Sequence, residues 1–384
     1  MITVIIFLIV LAVLIFVHEL GHFLAARSAG IRVDAFKIGF GPRILYWKRG
    51  ETEYGINLIP FGGFVKIHGE NPSEEAATGP DAARSFINKS RYKQVMVLVA
   101  GVFFNFLFAW LLYSIAFMSG VTATHEGFEK YADRFSADRV MITYVEKDTP
   151  ADRAGLQVGD VILHLIQPAS VSSSDAFISA TTTSIGYATP IMVADIQRFI
   201  ASSSGHVLKF DIERSGATST VAVSAVTGLH DSPTYAIGIA MQEVADLQLP
   251  FFTAIGEGLH YMLVMIRETV IGLASFIGNI FQGTANFADV AGPVGIAGIV
   301  GDAAQLGFTY LIMITALISI NLGVINLIPF PALDGGRTLF VIIEGIIRRR
   351  ISMKFTNVVN MIGFILLMAL MVVVTFKDIV KLFR

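Results

Sequence analysis

His18-Glu19-Leu20-Gly21-His22, near the end of an apolar run from Ile2 to Ala26, is the stretch on which the reading of this chain turns. In an α-helix residues four apart share a face, so imidazoles at 18 and 22 stand one turn apart and can reach one metal ion. Glu19 falls beside that face, where a carboxylate can take a proton from a metal-held water. The run is long enough to cross a bilayer, which needs ~20 apolar residues. A charge at mid-bilayer costs roughly 2.5–3.5 kcal/mol on insertion scales, so ionisable groups there mark function by default. The competing reading, a helix end whose polar residues merely snorkel, leaves the metal-helix spacing unexplained.

Composition points the same way. The chain has 384 residues, of which 54% are hydrophobic and 15% charged, with a mean hydropathy of +0.67. That is an integral membrane protein rather than a soluble domain. There are no cysteines, so disulfides and thiolate ligands are excluded and any third metal ligand is His, Asp or Glu. No basic domain or aromatic-basic platform suits nucleic acid. Met1-Ile2-Thr3 lacks a basic leader, so the first run is expected to be a retained helix.

Four runs are expected to span: Ile2–Ala26, Val95–Ser119, Phe308–Leu327 and Val358–Phe376. Between the first two lie Arg27, Arg32, Lys37, Arg43, Lys48, Arg49, Lys66 and Arg84, which mark that connection as cytoplasmic. The N-terminus and the long middle region are then outside. The first and third runs both point inward, each with its polar motif late. At a rise of ~1.5 Å per residue, His18 and a carboxylate just past the third run reach the same depth. That carboxylate is Asp334, in Asn326-Leu-Ile-Pro-Phe-Pro-Ala-Leu-Asp334-Gly335.

The two motifs together resemble the site-2 protease family of intramembrane zinc metalloproteases, most closely the bacterial regulator-of-sigma-E type, over nearly the whole chain. The resemblance implies zinc held by His18, His22 and Asp334, with Glu19 as catalytic base. It also implies single-pass membrane proteins as substrates within the lipid bilayer of a bacterial inner membrane. Asn326 and Asn105, the latter in Gly101-Val-Phe-Phe-Asn105, become candidates for substrate contact. Asn105 has an equal alternative in helix packing through an interhelical hydrogen bond. Two other classes compete: a zinc channel or transporter whose pore those ligands line, and a PDZ scaffold with a structural metal. A structural site closes with four protein ligands, and no fourth stands near these motifs.

Tyr54 to Glu70 carries two β-prone runs flanking Pro60-Phe61-Gly62-Gly63, the signal of a hairpin. Its apolar character and the resemblance imply that it re-enters the membrane beside the metal with Gly62 and Gly63 close to substrate, the alternative being an ordinary surface hairpin. Residues 1–120 are the N-terminal membrane core on this reading, and 121–248 an extracytoplasmic domain. Thr149-Pro-Ala-Asp-Arg-Ala-Gly155-Leu-Gln-Val-Gly159-Asp160 resembles the signature of bacterial PDZ domains. Strands are expected over Val140–Val145, Val207–Ile212 and Thr218–Val226, a helix over Ala194–Ala201, and an inserted loop over Ala169–Thr189. Phe251–Phe281 is apolar but broken by Glu257, His260, Arg267 and Glu268, which suggests a pair of membrane-surface helices in 249–300. Residues 301–384 complete the expected fold, a polytopic helical membrane protein of about four spans with one β-rich outer domain.

Overall fold

The computed structural model describes residues 2–70, 78–167, 183–185, 192–214, 216–229, 233–284 and 290–382. The chain divides into two compact units, Met1–Ala116 with Phe251–Arg384, and Phe117–Pro250.

In the first unit, α1 (Ile2–Ser28) and α2 (Arg91–Ser119) are long apolar helices. They touch backbone to backbone: a Cβ on Gly21 would lie 2.4 Å from the Ala100 carbonyl oxygen. Only the missing side chains of Gly21 and Gly101 permit that approach, as small residues do at membrane helix crossings. The next membrane-unit helix is α5 (Phe251–Gln282), followed by α6 (Pro293–Leu306), α7 (Phe308–Leu327), α8 (Asp334–Ile347) and α9 (Met353–Leu382). Gly301 of α6 meets Thr3, and Asp334 meets His18. Thus α7, which joins these two places, runs parallel to α1.

Residues 251–282 form one continuous helix, not the expected pair of surface helices. Glu257, His260, Arg267 and Glu268 interrupt hydropathy, but none of them breaks a helix. Arg267 and Glu268 pair in the exposed part at 2.9 Å. The apolar side packs against α2 and α7. Trp110 Nε1 donates to the Ile255 carbonyl at 2.9 Å, Tyr113 and Tyr261 stack edge to face at 4.9 Å, and Thr269 Oγ1 donates to Asn321 Oδ1 at 3.1 Å. Among the described residues, five helices rather than four are therefore long and apolar enough to cross a membrane.

Two bent strands, β1 (Val33–Arg49) and β2 (Thr52–Ile67), follow α1. Residues 35–38 pair with 53–56 on one side and 63–66 on the other, while 45–49 pair with 52–56, all antiparallel. The result is four short runs in the order 63–67, 33–38, 53–57, 43–49. This corrects the expected hairpin. The runs flanking Pro60-Phe61-Gly62-Gly63 do not pair with each other; both pair with β1. Gly62 does bend the chain, at φ +99°, and a Cβ there would strike the Phe40 ring. The tight hairpin turn is Gly50-Glu51. A turn signal marks a bend but not which strand its flanks will join, because that choice is made by packing. Here Phe36, Val65 and Ile67 pack under α1 and α2 with Phe23 and Val97. Phe40, Ile44, Leu45 and Leu58 remain exposed.

The second unit is a seven-stranded sheet. Its strands are β3 (Val121–Ala123), β4 (Phe135–Val145), β5 (Val161–Gln167), β6 (Thr183–Ile185), β7 (Val207–Arg214), β8 (Ala217–Ser224) and β9 (Ile239–Leu247). The order is β3-β9-β4-β5-β7-β8, with β6 also on β5. Alternation places Leu208, Phe210 and Ile212 in the core. Helix α4 (Val193–Ser202) adds Ile196, Phe199 and Ile200 from one face, and α3 (Pro150–Ala154) adds Ala151. The Gly155–Asp160 loop is tied down by Arg214, which donates to both oxygens of the buried Asp160 at 2.6 Å and to the Gly155 carbonyl at 2.8 Å. The hydrogen bonds from Arg139 hold the Asp246 carboxyl below the usual carboxylate range. Apart from Thr183–Ile185, the expected loop over 169–189 lies outside the described residues.

Candidate active site

His18 and His22 project from one face of α1 toward the start of α8, where Asp334 occupies the first helical position. Between α7 and α8 the chain folds back tightly: a Cβ on Gly335 would lie 2.3 Å from the Leu327 and Ile328 carbonyl oxygens, and one on Gly336 would be 2.2 Å from that of Phe330. Side chains at either glycine would force Asp334 away. His18 Nε2 lies 3.1 Å from Asp334 Oδ2, His22 Nε2 lies 3.2 Å from the same oxygen, and the two nitrogens are 3.2 Å apart. Zinc bound tetrahedrally at about 2.0–2.1 Å sets its ligand atoms roughly 3.3 Å apart, so the three donors fit it closely.

The far sides of the rings are arranged for the same purpose. His22 Nδ1 donates to the Val97 carbonyl at 2.8 Å, which leaves the Nε2 lone pair facing His18 and Asp334. Two such lone pairs 3.2 Å apart beside a carboxylate repel one another unless a cation sits among them. His18 Nδ1 faces the amide of Asn105 at 3.1 Å, through Nδ2, while the buried Oδ1 has no partner among the described residues. Turning the amide over brings its oxygen to Nδ1, where it accepts the ring N–H and frees Nε2 in the same way. Asn105 is 0% exposed. It therefore sits behind His18, away from the surface.

Gly101, one turn before Asn105, sits at the centre. A Cβ there would lie 2.4 Å from His22 Nε2 and 2.7 Å from His18 Cε1. Val97, Gly101 and Asn105 recur every four residues and so face α1 together, a signal present in the sequence. Gly101→Ala is expected to lower the zinc content of purified protein at least tenfold, measured by elemental analysis, with the helical circular dichroism unchanged. Full occupancy would show that the imidazoles tolerate the methyl group.

A cavity of about 680 Å³ opens beside the ligands; its wall includes Glu19, Gly63, Phe64, Lys66 and Arg337. Gly63 packs directly on α1, where a Cβ would lie 3.3 Å from Glu19 Cγ. The structure thus brings Glu19 and Gly63 together with His18, His22 and Asp334. Asn326, half-buried in the last turn of α7, Gly62 and Asn105 lie off the cavity wall. Arg337 of α8 pairs with Glu70, which joins the helix that carries Asp334 to the chain just beyond β2.

The model of peptidase family M50 matches residues 6–370. The chain belongs to peptidase family M50. A provisionally named zinc metalloprotease of Clostridium perfringens is 34% identical over 375 residues, 97% of each chain. Two proteins named zinc metalloprotease RasP are similar end to end. The one from Geobacillus kaustophilus is 29% identical over 98% of this chain and 97% of its own, and the one from Shouchella clausii is 28% identical over 99% of each. This M50 member is a zinc-dependent intramembrane protease. Bound zinc supplies Lewis acidity, which makes a water easier to deprotonate and polarises a carbonyl. Beside one another this chain places two imidazoles, a carboxylate held by a folded-back turn, and Glu19 on the wall of the same cavity.

Proposed function

We propose that this protease cuts the membrane-spanning segments of single-pass proteins after they unwind, and that the unwound segment adds as a strand to the 63–67 edge of the β-sheet. Helical substrate hides its carbonyls in its own hydrogen bonds, so some other backbone partner has to replace them. One observation carries the reading: the run 63–67 is an edge of the sheet, and it lines the same cavity as Glu19 and the histidines. An edge strand offers unpaired N–H and C=O groups at the spacing an extended peptide needs. His18, His22 and Asp334 hold the metal; Glu19 takes the proton of the attacking water and returns it to the leaving amine. Asn105 orients His18.

The charge pattern supports a bacterial inner-membrane setting, with the zinc motifs toward the cytoplasm and 117–250 outside. The Gly155–Asp160 run, two short helices and a β-sheet core support a PDZ-type domain for that unit.

Proline removes a backbone donor, and neighbouring positions of a strand point their donors to opposite edges. Of Val65→Pro and Lys66→Pro, the one whose donor faces the free edge is expected to lose at least tenfold in cleavage of a model membrane substrate without losing zinc. Wild-type rates for both would rule out strand addition.

A further inference from the structure

A second cavity, of about 480 Å³, lies where α1 ends and the tight hairpin turn begins. Arg27, Arg32, Arg49 and Arg84 line it, with Glu51 and Tyr54. Two of these guanidiniums are already engaged. Arg84 donates to both oxygens of Glu51, at 2.9 Å for the Oε1 contact, and also pairs with Asp81 at 3.5 Å. Arg32 donates to Asp34 at 2.8 Å and to Asp81. Arg27 and Arg49 have no carboxylate among the described residues; Arg27 rests only on the Phe23 ring, at 5.5 Å. Arg32 and Arg84 thus share three carboxylates, and the charges of Arg27 and Arg49 are left uncompensated at the mouth.

The surroundings are apolar and interfacial. Arg27 follows directly on the run that spans the bilayer, so the cavity lies at headgroup depth. Trp47 stacks on Tyr54, a residue of the cavity wall, with ring centroids 5.6 Å apart and planes 10° apart. Trp and Tyr are favoured at that level of a bilayer. Leu24 on α1 and Leu45 on β1 are exposed, 44% and 54%. A small soluble anion would use only the arginines, whereas a lipid would use this apolar surface too.

We propose that this cavity binds the headgroup of a monoanionic phospholipid of the phosphatidylglycerol type. The forked donors of Arg27 and Arg49 engage its single phosphodiester, and its acyl chains lie along Leu24 and Leu45. The two guanidiniums without a carboxylate attract an anion, and their forks match the oxygens of one phosphodiester in pairs. The proposal rests on α1 being a membrane span and is independent of the peptidase chemistry.

Trp47 and Trp110 are the two tryptophans of the chain, so in a Trp110→Phe background fluorescence reports on Trp47 alone. In zwitterionic nanodiscs containing a minor fraction of bromine-labelled lipid, labelled phosphatidylglycerol should quench Trp47 with a roughly tenfold preference over labelled phosphatidylcholine. The preference should fall to about unity in Arg27→Gln/Arg49→Gln and survive in Arg43→Gln, whose arginine sits over Tyr46 instead. Native mass spectrometry of the unaltered protein, which needs no variant, should find phosphatidylglycerol retained after detergent exchange. Equal quenching by both lipids, an equal loss in Arg43→Gln, or no retained lipid would overturn the site. Loss of the preference on adding inorganic phosphate would overturn the lipid in favour of a soluble anion. Zinc content and cleavage, measured in parallel, report on the peptidase centre separately.

Discussion

Glu19→Gln is expected to keep its zinc and to lose at least about a hundredfold in turnover, in line with the ~10²–10⁴-fold that a positioned general base contributes. The three atoms that converge on the metal position belong to His18, His22 and Asp334, and all remain in the variant. Glutamine keeps the shape of Glu19, and so its packing against Gly63, but cannot take a proton at neutral pH. Purified protein, a model membrane substrate and elemental analysis separate the two effects. Full zinc with turnover close to wild type would mean that another group activates the water. Loss of zinc would mean that Glu19 helps to hold the metal. A falling rate with an unchanged Michaelis constant would locate the loss in chemistry rather than in binding.

Asp334→Ala is expected to lose both metal and activity. Removing an outer partner of a ligand costs about 10–100-fold in affinity, and removing one of three ligands costs more. The turn that presents Asp334 is built by Gly335 and Gly336 against backbone oxygens, so it survives the truncation. The two imidazoles then remain close together without the carboxylate that both contact. Elemental analysis after dialysis against a weak chelator, with circular dichroism as a control for folding, provides the test. Zinc retained at one ion per chain would remove Asp334 from the ligand set.

These two variants also separate the centre from the alternatives that composition left open. A transporter or a structural metal site has no use for a carboxylate beside the ligands. In either case Glu19→Gln would be silent in transport or folding, whereas a hydrolase loses its turnover.

What the sequence determined by itself was whatever depends on local backbone period. Residues four apart on a helix must share a face, so His18-x-x-x-His22 by itself sets two imidazoles one turn apart. Alternation specified β7 and β8, and the spacing of Ile196, Phe199 and Ile200 specified α4, because burial on one face leaves that imprint. The arginines and lysines after the first apolar run mark that connection as the expected cytoplasmic side. That α7 runs parallel to α1 came instead from tertiary contacts, Gly301 with Thr3 and Asp334 with His18.

Tertiary structure decided everything that needed two distant segments to meet. That Asp334 reaches within 3.1–3.2 Å of both imidazoles depends on the turn folded over the end of α7. That Asn105 backs His18, rather than facing substrate, depends on how closely Gly21 and Gly101 let two helices approach. Residues 35–38 pair with runs on both sides because the apolar faces of those runs pack under α1 and α2, which no turn motif encodes. Residues 251–282 form one helix since four polar residues lower hydropathy without removing a backbone hydrogen bond, and α2 and α7 bury the side that remains apolar. A sequence records the preferences of each segment for a face and a period; which faces meet is settled only when all of them compete to be buried at once.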